Sequence, residues 1–198
     1  MEKVLLRIVD SKPYKLDDLL NNPLLSEKDE ADSLKYLRTE NKKERAVANI
    51  LRNKYIGKCT ISSRGKPLAK GKHFNISHSK GIVCLATSNK DVGVDLEVIR
   101  PVDIDFKEFI SSKDEKNLIH DDETFFMIWT NKESLLKCMG LGMKSSMDKV
   151  PSLPFNNIKF FDKQYFYSKS IKYKNSIITV TRVSAEPFEI EIKEETIE

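Results

Sequence analysis

The chain has 198 residues and a mass of 22.8 kDa, room for one large domain or two small halves. Apolar residues make up 39%, and 10 Phe, 6 Tyr and one Trp are enough to build a core, which excludes a disordered chain; Gly and Pro, at 7 each, exclude collagen-like and low-complexity classes. Lys and Arg number 34 against 30 Asp and Glu, giving +4 and a pI near 8.8, a balance that suits an acidic partner or a polyphosphate ligand. A dedicated nucleic-acid binder shows a sharper basic cluster, so no nucleic-acid partner is expected. Cys59, Cys84 and Cys138 are isolated, which argues against a disulfide framework or a structural zinc site and fits a reducing cytoplasm. Arg7 and Asp10 interrupt the first apolar run too early for a signal peptide, and no apolar stretch approaches the ~18 residues of a membrane span, so neither secretion nor a membrane is expected.

In chain order, Val4 to Val9 reads as a strand. Ser26 opens a helix, with Asp29 at capping-box spacing. A second helix carries Val47, Ile50, Leu51 and Tyr55 and stops at Gly57; its upstream face holds Lys42, Lys43 and Arg45, each equally a solvated surface residue. Ser63 to Pro67 is a turn, and Phe74 to Ser77 is short and extended. Ile82 to Thr87 and Val92 to Ile99 read as a hairpin across a turn at Ser88 to Asp91. Arg100 to Asp103 breaks the pattern near mid-chain. Phe106 to Ile119 looks helical in short pieces, and Thr124 to Met139 is a stronger helix ended by Gly140. The remainder is β-rich, at Asn157 to Phe161, Tyr165 to Tyr173, Ser176 to Val183 and Phe188 to Ile192.

Both halves thus run through helices and close with a hairpin-like pair. The expected architecture is α+β and pseudo-duplicated, with halves at 1–100 and 101–198.

Three stretches carry chemistry. In Val92 to Val98, Val92, Val94, Leu96 and Val98 share one strand face and Gly93, Asp95 and Glu97 the other. The two carboxylates can converge on a hard divalent cation, or they are simply the polar side of a strand. On the helix, Trp129, Glu133 and Lys137 follow i, i+4, i+8, offering an aromatic wall, a carboxylate and a cation along one stripe; a surface ion pair is the plainer alternative for the last two. Asn75-Ile76-Ser77-His78-Ser79 is rich in hydrogen-bond donors that suit a phosphate monoester; taken alone, such a run is mostly structural.

The order and spacing of Gly65-Lys66-Pro67, Phe74-Asn75-Ile76-Ser77-His78-Ser79, Gly93-Val94-Asp95-Leu96-Glu97 and Trp129-Thr130-Asn131-Lys132-Glu133-Ser134-Leu135-Leu136-Lys137-Cys138-Met139-Gly140 resemble the Sfp-type 4'-phosphopantetheinyl transferases. The resemblance covers about residues 65 to 142. It implies an enzyme that moves the 4'-phosphopantetheine arm of coenzyme A to a serine of an acyl or peptidyl carrier protein, releasing 3',5'-ADP. It also implies a monomeric pseudo-dimer of two α+β halves with the active site in the cleft between them.

Carried over residue by residue, the resemblance makes Asp95, Glu97 and Glu133 the Mg²⁺ ligands and places Lys137 on the coenzyme A pyrophosphate. It gives His78 with Ser77 to the 3'-phosphate, adds Lys66 near the nucleotide, and leaves Arg45 as a further phosphate ligand. Glu133 becomes the base for the carrier serine, a role for which its metal link or a raised pKa must compensate a weak carboxylate. Trp129 and Lys132 match the motif, Trp129 as packing that fixes the helix. Leu141-Gly142-Met143 is expected on the acceptor side, and Lys113, Lys116, Lys144 and Lys149 near an acidic carrier protein.

Two places depart from the family pattern: Pro67 to Phe74 is short for a nucleotide loop, and the basic residues of the first half have no clear register. A non-catalytic binding module on the same fold would be expected to lose one of the three carboxylates or Lys137. A Mg²⁺-dependent phosphohydrolase has no use for the Asn-x-Ser-His-Ser turn.

Overall fold

A computed structural model describes residues 2–142 and 146–198. The chain opens with β1 (Glu2–Asp10), then α1 (Leu16–Leu20), α2 (Glu27–Leu34) and α3 (Thr39–Tyr55). Two short strands, β2 (Thr60–Ile61) and β3 (Pro67–Leu68), precede β4 (His73–Ser79), β5 (Ile82–Ser88) and β6 (Val92–Val98). The second helical passage is α4 (Ile104–Ile110), α5 (Lys113–Lys116) and α6 (Asp122–Met139), followed by a 3₁₀ turn at Met147–Lys149. Four strands close the chain: β7 (Ile158–Phe161), β8 (Gln164–Tyr173), β9 (Ser176–Val183) and β10 (Phe188–Glu194). The Ser26 capping box forms with Asp29, and α6 runs from an Asp121 N-cap to Gly140, whose φ of 67° ends it in the left-handed region.

The strands form two four-stranded sheets, ordered β10-β1-β5-β4 and β6-β9-β8-β7. Each is entered by one strand, followed by a helical passage and returning antiparallel strands, which gives the α+β fold its two-part character. The hairpins expected at the two strand pairs do not form. β5 has both edges occupied, by β1 and β4, so β6 crosses to the free edge of β9. β9 is likewise flanked by β6 and β8, so β10 crosses back and pairs in parallel with β1. The halves thus exchange a strand: β6 lies in the second sheet and β10 in the first. A tight hairpin joins β4 to β5 through Lys80 and Gly81, whose φ values of 50° and 89° match the twist of the flanking strands.

The faces follow the alternation of each strand. Val4, Leu6, Ile8, Cys84 and Ala86 of the first sheet share one core with Val92, Val94, Leu96, Ile178 and Val180 of the second. On the opposite faces, Val83, Leu85 and Phe74 pack on Val47, Ile50 and Leu51 of α3, and Phe166 and Ile177 pack on Phe125, Leu135 and Leu136 of α6. The two sheets meet edge to edge, β4 beside β6, with one helix over each outer face. Among the described residues, no helix is long and apolar enough to cross a membrane.

Candidate active site

The seam between β4 and β6 is built from side chains. Asn75 Oδ1 accepts the Val94 N–H at 2.9 Å, Ser77 Oγ the Leu96 N–H at 3.1 Å and Ser79 Oγ the Val98 N–H at 3.4 Å. The Asn-x-Ser-x-Ser alternation thus satisfies the backbone donors along the edge of β6, which would otherwise be buried without partners. The same residues hold the carboxylates: Ser77 Oγ donates to Asp95 Oδ1 at 3.1 Å, and Ser79 Oγ to Glu97 Oε2 at 2.8 Å.

Gly93 brings the helix down onto this seam. A Cβ there would lie 2.0 Å from the Ser134 carbonyl oxygen, so only glycine lets α6 rest directly on β6. Glu133 and Lys137 flank that contact on the helix and reach the strand's carboxylate face. Lys137 Nζ donates to Asp95 Oδ1 at 2.6 Å and to Ser77 Oγ at 3.1 Å. Together Ser77, His78, Asp95, Glu97, Glu133 and Lys137 line a cleft of about 270 Å³, with Ile76 and Trp129 as its apolar walls. Trp129 also stacks on Phe106, ring centroids 5.5 Å apart, and borders an adjoining cavity of about 300 Å³.

The electrostatics are those of buried carboxylates. Burial pushes the Asp95 carboxyl above its usual range against the opposing pull of Lys137. Burial pushes Glu133 up to about 6, with the nearby Asp95 and Glu97 adding to the effect and Lys137 opposing it. Burial alone would lower the Lys137 pKa, yet Asp95 beside it leaves it raised and the amine charged. Asp95 Oδ2 and Glu133 Oε1 are buried with no hydrogen-bond partner. Among the described residues, no three His, Cys, Asp or Glu side chains are disposed to hold a metal ion as they stand; Lys137 sits on Asp95, and Arg100 on Glu97 at 2.7 Å. The donor set fits a hard divalent cation nonetheless: all oxygen, two carboxylate oxygens lacking a partner, and like charges that a cation would relieve.

Lys66 and Arg45 lie elsewhere. Lys66 Nζ donates to the Cys138 carbonyl at 2.7 Å, capping the end of α6, and borders a separate cavity. Arg45 pairs with Asp32 at 2.6 Å and lines a cavity between α2 and α3. Lys132 is fully buried, paired with Glu115 at 2.7 Å and bonded to the Met147 carbonyl at 2.8 Å; it ties α6 to α5. Met143 and Lys144 lie outside the described residues.

Sequence reasoning missed Glu44, whose carboxylate is 2.7 Å from His78 Nδ1. The signal was available in the helix phase. Glu44 stands three and four residues before Val47 and Ala48 and seven before Leu51, on the buried stripe, where a carboxylate is unusual.

Residues 91–181 match the model of the 4'-phosphopantetheinyl transferase superfamily. Over this stretch the chain is similar to that superfamily, and to 4'-phosphopantetheinyl transferases of the Sfp type. It is 39% identical over 89 residues to the 4'-phosphopantetheinyl transferase gsp of Aneurinibacillus migulanus, covering 40% of this chain and 36% of that one. It is 34% identical over 82 residues to the 4'-phosphopantetheinyl transferase Sfp of Bacillus subtilis strain 168, covering 38% and 37%. With HetI of Nostoc, also a 4'-phosphopantetheinyl transferase, it shares 34% over 101 residues, covering 43% of each chain. The chain spans about two fifths of the length of the curated relatives it matches.

Proposed function

We propose that this protein transfers the 4'-phosphopantetheine group of coenzyme A to a serine of an apo acyl or peptidyl carrier protein, with release of 3',5'-ADP. The observation that carries the reading is the convergence of Asp95, Glu97, Glu133 and Lys137 on one cleft, with two buried carboxylate oxygens left without partners. The names of the relatives support it.

In this reading Asp95, Glu97 and Glu133 hold Mg²⁺, which when bound offsets the negative charge that grows on the departing nucleotide. Lys137 remains protonated and turns its ammonium to the pyrophosphate, the flexible amine serving two partners in turn. Glu133 takes the proton from the carrier serine as its oxygen attacks the phosphorus that bears the pantetheine arm. The bond from that phosphorus to the bridging oxygen breaks, and 3',5'-ADP leaves with the electron pair. The adjoining cavity beside Trp129 and Phe106 receives the arm. In this reading the protein acts as a monomer in the cytoplasm.

The test is intact-mass analysis of candidate apo-carriers incubated with the protein, coenzyme A and Mg²⁺. A gain equal to one phosphopantetheine, lost when Mg²⁺ is chelated, is expected. Carriers that stay unmodified across acyl and peptidyl types would refute the reading.

A further inference from the structure

We propose that Arg100 is an exchangeable counter-ion. It holds Glu97 in the metal-free protein; once a divalent cation takes Glu97, it pairs instead with a carboxylate that the carrier protein presents beside its acceptor serine. The inference rests on the transferase reading above.

Asp95, Glu97 and Glu133 line the cleft, and each of the first two has its own cation. The two cations are placed differently. Lys137 lies inside the cleft, with its amine on Asp95 at 2.6 Å and on Ser77 at 3.1 Å. Arg100 lies on the wall of the adjoining cavity of about 300 Å³, which shares Glu97 and Trp129 with the cleft. Its Nη1 donates to Glu97 Oε2 at 2.7 Å and to the Val98 carbonyl at 2.9 Å. Its guanidinium lies over the Phe126 ring, 4.8 Å from the centroid. The Arg100 side chain is 41% exposed, whereas that of Glu97 is 20% exposed. A guanidinium carries five N–H donors, and among the described residues the hydrogen bonds of Arg100 run through Nη1.

A divalent cation on Glu97 supplies the countercharge that Arg100 supplied and repels the guanidinium. The Val98 carbonyl and the Phe126 face carry no formal charge, so they keep Arg100 at the mouth of the cleft without neutralising it. Asp103, the other carboxylate on the cavity wall, is committed to the start of α4, where it accepts the Asp105 N–H at 2.9 Å. An exposed planar guanidinium with free N–H groups matches a carboxylate bidentately. The acceptor serine has to reach Glu133, so the protein that bears it covers this rim, and the +4 charge of the chain suits an acidic one. Metal on Glu97 and carrier on Arg100 are then coupled, and the coupling is reciprocal.

The experiment uses calorimetry on the native protein and on Arg100→Met. The probe is an acidic carrier that the native protein modifies, with its acceptor serine changed to alanine so that it binds without reacting. It is titrated into each protein at saturating coenzyme A, once with Mg²⁺ and once with a chelator. The native protein should bind the carrier about fivefold or more tightly with Mg²⁺, the lower end of coupling between two sites, and Arg100→Met should gain no more than about twofold. Mg²⁺ titrated alone should bind Arg100→Met about threefold or more tightly than the native protein, because the competing cation is gone. An equal Mg²⁺-dependent gain in both proteins would overturn the proposal. So would weaker Mg²⁺ binding by the variant, which would mean that Arg100 orients Glu97 for the metal instead of competing with it. Should Arg100→Met fail to fold by thermal melting, Arg100→Gln, which keeps a donor for the Val98 carbonyl, replaces it with the same expected results. A native protein that modifies the carrier but shows no such coupling sinks this inference and spares the transferase reading. A native protein that modifies no carrier sinks both.

Discussion

A Cβ on Gly93 would stand 2.0 Å from the carbonyl oxygen of Ser134 and 2.3 Å from the backbone nitrogen of Cys138. Neither atom belongs to a side chain that could swing away. The closeness of α6 to β6 sets the reach of Glu133 and Lys137 to Asp95, so this one missing methyl group positions the site. Gly93→Ala should lift the helix and cost about 1–3 kcal/mol, the usual range for overpacking. Urea unfolding reads the stability, and the Lys137–Asp95 pair should weaken with it. Unchanged stability would show that the helix is not resting on the strand.

Glu133 should make the metal-free protein less stable as pH rises. Its folded carboxyl sits near 6, above the ordinary value of 4.5, so between those limits the folded state holds more protons than the unfolded one. Stability from this group is full below about 4.5 and lost as pH passes 6, a difference on the order of 2 kcal/mol. Glu133→Gln should therefore melt higher than the native protein at pH 7.5 without Mg²⁺ and match it near pH 4.5. Added Mg²⁺ should close the gap by stabilising the native protein alone. A native protein that melts no lower than the variant at pH 7.5 would contradict the burial of this carboxyl.

Lys132 and Glu115 form a buried pair, and Glu115 also accepts from Ser112 and Ser152. Lys132→Met leaves that carboxylate without its counter-charge and should cost about 3–5 kcal/mol in urea unfolding. Adding Glu115→Gln should recover part of the loss. Purely additive effects in the double variant would mean that the two side chains are not coupled.

How far the sequence could be read depended on the range of each interaction. Helix ends were legible because caps act locally: Ser26 with Asp29, and Gly140 at the end of α6, stand where expected. So was the strand alternation that sends Asp95 and Glu97 to one face. Strand partners were not. Ile82 to Thr87 and Val92 to Ile99 look like a hairpin by proximity, but whether β5 has a free edge depends on β1, more than 70 residues earlier. The Asn-x-Ser-x-Ser run read as a set of phosphate donors because nothing local shows that β6 lies alongside, using those side chains for its own N–H groups. Arg45 looked free to meet a phosphate because its partner, Asp32, lies on another helix.

Docking of the carrier should depend on charge. Lys113, Lys116 and Lys149 are exposed on α5 and the 3₁₀ turn after α6, on the expected acceptor side. Lys113→Glu with Lys149→Glu should raise the KM for an acidic carrier several-fold and leave that for coenzyme A unchanged. The native KM should rise with salt as the Debye length falls from ~10 Å at 0.1 M to ~3 Å at 1 M. Carrier kinetics indifferent to both changes would remove these lysines from the interface.

The central claim, that the carboxylates of this cleft carry out the transfer, is tested most directly by following the mass of an apo-carrier over time with coenzyme A and Mg²⁺. The native protein is compared with Asp95→Asn and Glu133→Gln, each first shown to be folded. The account predicts that the native protein adds one phosphopantetheine to the carrier and that both variants leave it essentially unmodified over the same interval. Modification by either variant at the native rate would contradict it.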